Sequence, residues 1–283
     1  MDICVCADGN YLDYVPALFE SISRHNKSGC NFYLITDELV SADIKNKISD
    51  IVSDNSFFDI VIDSRDFEGY KECGHFTKAM YYRFKIPDLI PESKWVLYLD
   101  CDMLVRGSLE PLFENLDERC PVYACRNPFF TRKDSLGLLG DVYFNSGLMV
   151  INSELWRRNS AISKLISIIG EKAEVLEMPD QDALNIFFDQ QWCELPPQYN
   201  LQTSIILNKR AAVLEYRPFL DALRSPIVVH FSSPNKCWHK SCGGRYFKEY
   251  QSLKTSELVL RKGLLLDYLI RIKFFLKRVL WGF

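Results

Sequence analysis

The first hundred residues repeat one pattern, a short apolar run followed by a stretch with helical spacing. Ile3–Ala7 is apolar throughout until Asp8-Gly9-Asn10 breaks the run. Leu12, Val15, Leu18, Phe19 and Ile22 then fall on one face of a helix. Phe32–Thr36 predicts a second strand, Ala42–Val52 a second helix and Phe58–Ile62 a third strand. A helix is expected over 75–86, and Trp95–Leu99 is a nearly continuous apolar strand, suited to the middle of a sheet covered on both faces. Further strands are expected at Val122–Cys125, Leu148–Ile151 and Ile227–His230, with helices over 160–172 and 180–188. Alternation of strands and helices predicts an α/β fold with a mainly parallel sheet. Such sheets bind ligands at the carboxyl ends of their strands, which puts Asp8-Gly9-Asn10 and Asp100-Cys101-Asp102 on one rim.

The chain's 283 residues, 48% of them hydrophobic, suit one large domain or one domain with an appendage. A net charge of −3 argues against nucleic acid as a partner, because phosphate backbones select basic surfaces. Charge does gather at one end. Between Arg261 and Phe283 there are six Lys or Arg residues and one acid, Asp267. They interrupt an apolar segment too often for a membrane span. The expected division is therefore an α/β domain over 1–250 and a basic amphipathic helical tail over 251–283. That tail either lies on the inner face of the cytoplasmic membrane or packs on the body with its basic face in water. Met1–Asp8 reads as a first strand rather than a secretory signal. Ten scattered cysteines show neither zinc-knuckle nor C-x-x-C spacing, so a reduced, cytoplasmic protein is expected.

Chemistry concentrates at Asp100-x-Asp102. Side chains at i and i+2 of an extended segment point the same way, so both carboxylates face one point while Cys101 faces away. Two like charges that close repel unless a cation neutralises them, and a hard divalent ion shared with phosphate oxygens does so. Alone, the motif also fits a polar loop start. His230, at another strand end, adds an imidazole that shifts preference from Mg²⁺ toward Mn²⁺. Lys236 is a point charge suited to a diphosphate. Pro179-Asp180-Gln181-Asp182 opens a helix, and although such a start is sound capping chemistry, it leaves Gln181 between two acids unexplained. Asn145-Ser146-Gly147 fits either a small turn admitting a ligand or a plain hairpin turn.

Six strings in consistent order resemble the family 8 glycosyltransferases, above all the bacterial lipopolysaccharide galactosyl- and glucosyltransferases. They are Ala7-Asp8-x-Asn10-Tyr11, Tyr82-Arg83, Leu97-Tyr98-Leu99-Asp100-x-Asp102, Tyr143-Phe144-Asn145-Ser146-Gly147, Asp180-Gln181-Asp182-x-Leu184-Asn185 and His230-Phe231-x-x-Pro234-x-Lys236-x-Trp238-His239. The resemblance implies a GT-A fold and a retaining, metal-dependent hexosyltransferase using Mn²⁺ (or Mg²⁺) and a UDP-hexose, UDP-galactose or UDP-glucose. By position it makes Asp100, Asp102 and His230 the metal ligands, and Asp8, Asn10 and Lys236 neighbours of the uridine and diphosphate. Arg83, Asn145, Asp180 and Gln181 fall around the donor hexose, with Asp180 and Gln181 nearest the chemistry. His75 falls near a glycan acceptor such as lipopolysaccharide. Two departures, Ser233 for a glycine and Asn127 for an acid, bear on the diphosphate loop and the acceptor. A self-glucosylating primer, a catalytically silent sugar-nucleotide scaffold and a metal phosphohydrolase are the competing classes.

Overall fold

In the computed structural model, residues 1–27, 29–53, 55–68, 70, 77–239, 242, 244–253 and 255 are described. The expected tail therefore lies almost wholly outside the described residues, as does His75.

Ten strands follow in chain order: β1 Asp2–Cys6, β2 Asn31–Thr36, β3 Ser56–Val61, β4 Trp95–Leu99, β5 Met103–Val105, β6 Val122–Arg126, β7 Phe144–Asn152, β8 Cys193–Glu194, β9 Leu201–Gln202 and β10 Val228–His230. Seven form one sheet in the order β3-β2-β1-β4-β7-β6-β8, and β5-β10-β9 form a second. The run from β3 to β4 is parallel, while β7 lies antiparallel to both β4 and β6. Period-two alternation sorts the apolar residues onto two faces. Cys4, Tyr98 and Met149 join one buried cluster, and Val5, Leu97 and Val150 the other. Helices cover both faces, as an α/β fold requires. A third cluster beneath the small sheet gathers Leu201, Ile205, Phe219, Val229, Trp238 and Tyr250.

The alternating reading holds for β1 to β4 and for the helices Val15–Ser23, Ala42–Ile51, Ala161–Glu171 and Pro179–Phe187. Three expectations need correction. The helix expected over 75–86 is, in its described part, a broken series: Ala79–Tyr82, a 3-10 turn Arg83–Lys85, then Ile86–Leu89. Pro87 lacks the backbone N–H a continuous helix would need. Asn145-Ser146-Gly147 is no turn but the start of β7, all nine of whose residues are buried. Because β7 runs against β4, its first residues meet the carboxyl end of β4, and Asp100 N donates to Gly147 O at 2.8 Å. Finally, Cys120 and Cys193 form a disulfide, against the expectation of reduced thiols. Parallel pairing of β6 with β8 brings Cys193 opposite Tyr123, near Cys120 but 73 residues away in sequence. The other described cysteines form no disulfide.

Candidate active site

β4 delivers Asp100 at its carboxyl end, and the chain continues through Cys101 to Asp102 before β5 begins. The segment is not extended as expected: the chain turns at Cys101 and Asp102, and Cys101 both packs against apolar residues and lines the cleft beside the two acids. β10 pairs His230 with Met103, which carries the imidazole onto the two acids. His230 Nε2 lies 3.7 Å from Asp100 Oδ2 and 3.2 Å from Asp102 Oδ1. Ligand atoms of Asp100, Asp102 and His230 all fall within 4.8 Å of one another.

Two further observations fit a divalent cation here. Asp102 Oδ1 is buried without a hydrogen bond, an arrangement that a bound cation relieves. Beside it, Gly147 keeps the space open. A Cβ at that position would stand 2.5 Å from His230 Cε1 and 2.7 Å from Asp100 Oδ2. Two carboxylates and an imidazole form a donor set suited to Mn²⁺ and, less well, to Mg²⁺.

Lys236 completes this corner, its Nζ donating to Asp102 Oδ2 at 2.6 Å and to Phe231 O at 3.2 Å. Burial alone would push the Asp102 carboxyl up, but the Lys236 ammonium and His230 outweigh it and hold the group well below the usual carboxylate range. Asp102 is therefore ionised at any physiological pH.

On the other side of the cleft, buried Arg83 ties the metal corner to the helix Pro179–Phe187. Its Nη2 reaches Asp100 Oδ1 at 3.0 Å, and its Nη1 lies 3.3 Å from Asp180 Oδ2. Nη1 also donates to Ser146 O at 2.9 Å, and the guanidinium lies 4.5 Å from the centre of the Tyr98 ring. Tyr98 donates its hydroxyl to Asp100 Oδ1 at 2.5 Å. Burial raises the Asp180 carboxyl to about 6, with Arg83 opposing and Asp100 adding to the rise.

Asp182 answers why two acids flank Gln181. Its carboxylate accepts from the backbone N–H groups of Glu177 and Met178 at 2.9 and 3.0 Å and pairs with Arg132 at 2.6 Å, so it anchors the helix start. Gln181 instead faces the cleft. Its Oε1 accepts from Asn145 Nδ2 at 3.0 Å and Ser146 N at 2.9 Å, while its Nε2 donates to Tyr143 Oη at 3.1 Å.

Arg83, Asp100, Asp102, Asn145, Asp180, Gln181, His230 and Lys236 thus line one cleft of about 490 Å³. Asn127, Pro128 and Phe129 line it too. Asp8 and Asn10 stand just outside. Asp8 Oδ1 accepts from Asn10 N at 2.9 Å, closing the turn that presents Ala7 and Tyr11 to the cleft. Sequence reasoning missed Tyr98, which reads as core, and Asn200, which lies ahead of a two-residue strand and donates to Asn145 Oδ1 at 2.9 Å. A glycine within a fully buried strand was the available signal for the close approach at Gly147.

Comparison with known proteins agrees with this geometry. The profile of Glycosyl transferase family 8 matches residues 2–242. General stress protein A of Bacillus subtilis (strain 168) is 31% identical over 262 residues, 88% of this chain and 91% of that protein. Glycosyltransferase GlyF of Streptococcus pneumoniae serotype 4 is 28% identical over 92% of this chain, which spans 64% of GlyF's length. The galactosyltransferase LgtC, solved in complex with donor and acceptor sugar analogs, has a TM-score of 0.79 at 25% identity, covering 89% of this chain and 95% of LgtC. With the family profile spanning nearly all of the described fold, including the convergent Asp100, Asp102 and His230 and the cleft around them, the chain belongs to glycosyl transferase family 8.

Proposed function

We propose that the chain transfers a hexose, galactose or glucose, from a UDP-sugar to a glycan acceptor, with retention of anomeric configuration. Asp100, Asp102 and His230 would hold Mn²⁺, with Mg²⁺ the alternative. The observation that carries this reading is the meeting of those three side chains with Lys236, Arg83, Asp180 and Gln181 in one cleft. LgtC, a relative in sequence and fold, is a galactosyltransferase crystallised with donor and acceptor sugar analogs, which supports the donor class.

When bound, the cation supplies positive charge against the diphosphate as it departs. Lys236 adds an ammonium at the same place, with Asp8 and Asn10 at the uridine end. Asp180, once ionised, accepts hydrogen bonds from sugar hydroxyls, and Arg83 and Asn145 position the hexose. Gln181 lies nearest the anomeric carbon in this reading. Both ends of its amide are engaged in hydrogen bonds, and a neutral amide is a poor nucleophile. Retention therefore follows from same-face delivery of the acceptor, whose proton passes to the departing UDP. The acceptor is lipopolysaccharide or another cell-surface saccharide, with His75 beside it. Residues 1–250 act as the catalytic unit, and the basic tail over 251–283 brings that unit to the inner face of the cytoplasmic membrane. No helix among the described residues is long and apolar enough to cross a membrane.

Incubation with a panel of UDP-sugars, Mn²⁺ and glycan acceptors, followed by NMR of the product linkage, tests this reading. UDP-galactose or UDP-glucose should be consumed and yield an α-linked product. An inverted linkage, or no UDP release from any donor, would overturn it.

A further inference from the structure

Gln181, Asn145, Asn200 and His230 form an unbroken line of hydrogen bonds that ends on the candidate metal ligands. The two ends of a side-chain amide look alike as heavy atoms, so their roles must come from their partners. Here the backbone settles them. Ser146 N donates to Gln181 Oε1 at 2.9 Å, and Gly147 N donates to Asn145 Oδ1 at 3.1 Å. A backbone N–H can only donate, so each of these amide atoms is oxygen. Asn145 therefore shows its oxygen to Asn200 as well, and Asn200 answers with its NH₂ at 2.9 Å. That leaves Asn200 Oδ1 facing His230 Nδ1 at 3.0 Å. An amide oxygen only accepts, so Nδ1 carries a proton, and Nε2 is the nitrogen turned toward Asp100 and Asp102.

We propose that Asn200 is a positioning residue that keeps His230 in its Nδ1–H form, leaving the Nε2 lone pair for a divalent cation. Asn200 is 1% exposed and does not itself line the cleft. It acts through His230, in the way a second partner on a ligating imidazole fixes its tautomer and aim. Without it, the neutral ring would gain by moving its proton to Nε2, where Asp102 Oδ1 lies buried and unbonded at 3.2 Å. That hydrogen bond would close the site to a cation. The value of the relay rests on the metal role proposed above, but the tautomer exists without the metal and can be measured without it.

Histidine labelled with ¹⁵N, in metal-free protein at a pH where the imidazole is neutral, reports which ring nitrogen is protonated. The wild type should show Nδ1–H at His230. Asn200→Ala should shift the population toward Nε2–H and weaken Mn²⁺ binding about 10–100-fold by calorimetry. Asn200→Asp, which restores an acceptor oxygen, should return the Nδ1–H form, a rescue that a purely structural role would not produce. An unprotonated Nδ1 in the wild type would overturn the proposal and needs no variant to fold. So would an Asn200→Ala protein with unchanged tautomer and Mn²⁺ affinity. Nδ1–H in the wild type with no Mn²⁺ binding would instead support the relay and overturn the metal reading.

Discussion

Asp102 and Asp180 are almost equally hidden, 7% and 5% exposed, yet their carboxyls are pushed in opposite directions. Burial raises both. At Asp102, Lys236 and His230 together outweigh it, and the group ends far below its ordinary range. At Asp180 the opposing charge is Arg83, which is also tied to Asp100, and the negative Asp100 adds to the rise, so the group stays at about 6. The difference lies in the placement of counter-charges, not in depth. The Asp102 charge is thus fixed, while the Asp180 charge is one that pH can set.

Removing charge at the fixed end should have the largest effect. Asp102→Asn is expected to lower transfer by at least about 10²–10³-fold, the scale of losing a preorganised electrostatic contact. Unchanged circular dichroism would separate that loss from unfolding. Gly147→Ala comes next. The added Cβ would press on His230 and Asp100, so Mn²⁺ affinity should fall about 10–100-fold. The same crowding should lower stability by about 1–3 kcal/mol in denaturant titrations.

Asp180 tests the adjustable end. The acid limb of kcat/KM should fall as pH drops through about 6, where this carboxyl takes up its proton. Asp180→Asn should remove that limb and leave a reduced rate that no longer varies with pH there. Stability runs the other way. Between 3.8, its ordinary value, and about 6, folded Asp180 holds a proton that the unfolded chain releases. Its contribution to stability therefore declines as pH rises through that window. Smallest in its effect on transfer is Cys120→Ser, remote from both acids. Loss of the link to Cys193 should lower the melting temperature while leaving transfer and the pH profile as they were.

Most elements of the first half were legible because they rest on local periodicity, and β1 to β4 with the helices Val15–Ser23 and Ala42–Ile51 fall where the apolar spacing puts them. Asp100 and Asp102 could be singled out as two acids just past an apolar strand, although it is a turn at Cys101 and Asp102, not the extended chain expected, that brings them together. What escaped is what pairing decides. The direction of β7 turns Asn145-Ser146-Gly147 from a supposed turn into the wall of the cleft. The parallel contact of β6 with β8 brings two distant cysteines together. Asn200 carries no periodic signal, and its importance comes from neighbours 55 and 30 residues away, Asn145 and His230. Gln181 could be singled out as odd, but only the capping work of Asp182 explains the company it keeps.

The central claim is that Asp100, Asp102 and His230 bind one divalent cation on which transfer depends. Electron paramagnetic resonance of free Mn²⁺ titrated against the protein with UDP present measures it most directly. One Mn²⁺ should be taken up per chain in the wild type, with uptake lost in Asp100→Asn and in Asp102→Asn. Equal Mn²⁺ uptake by all three proteins, or full hexose transfer after exhaustive chelation, would contradict the account.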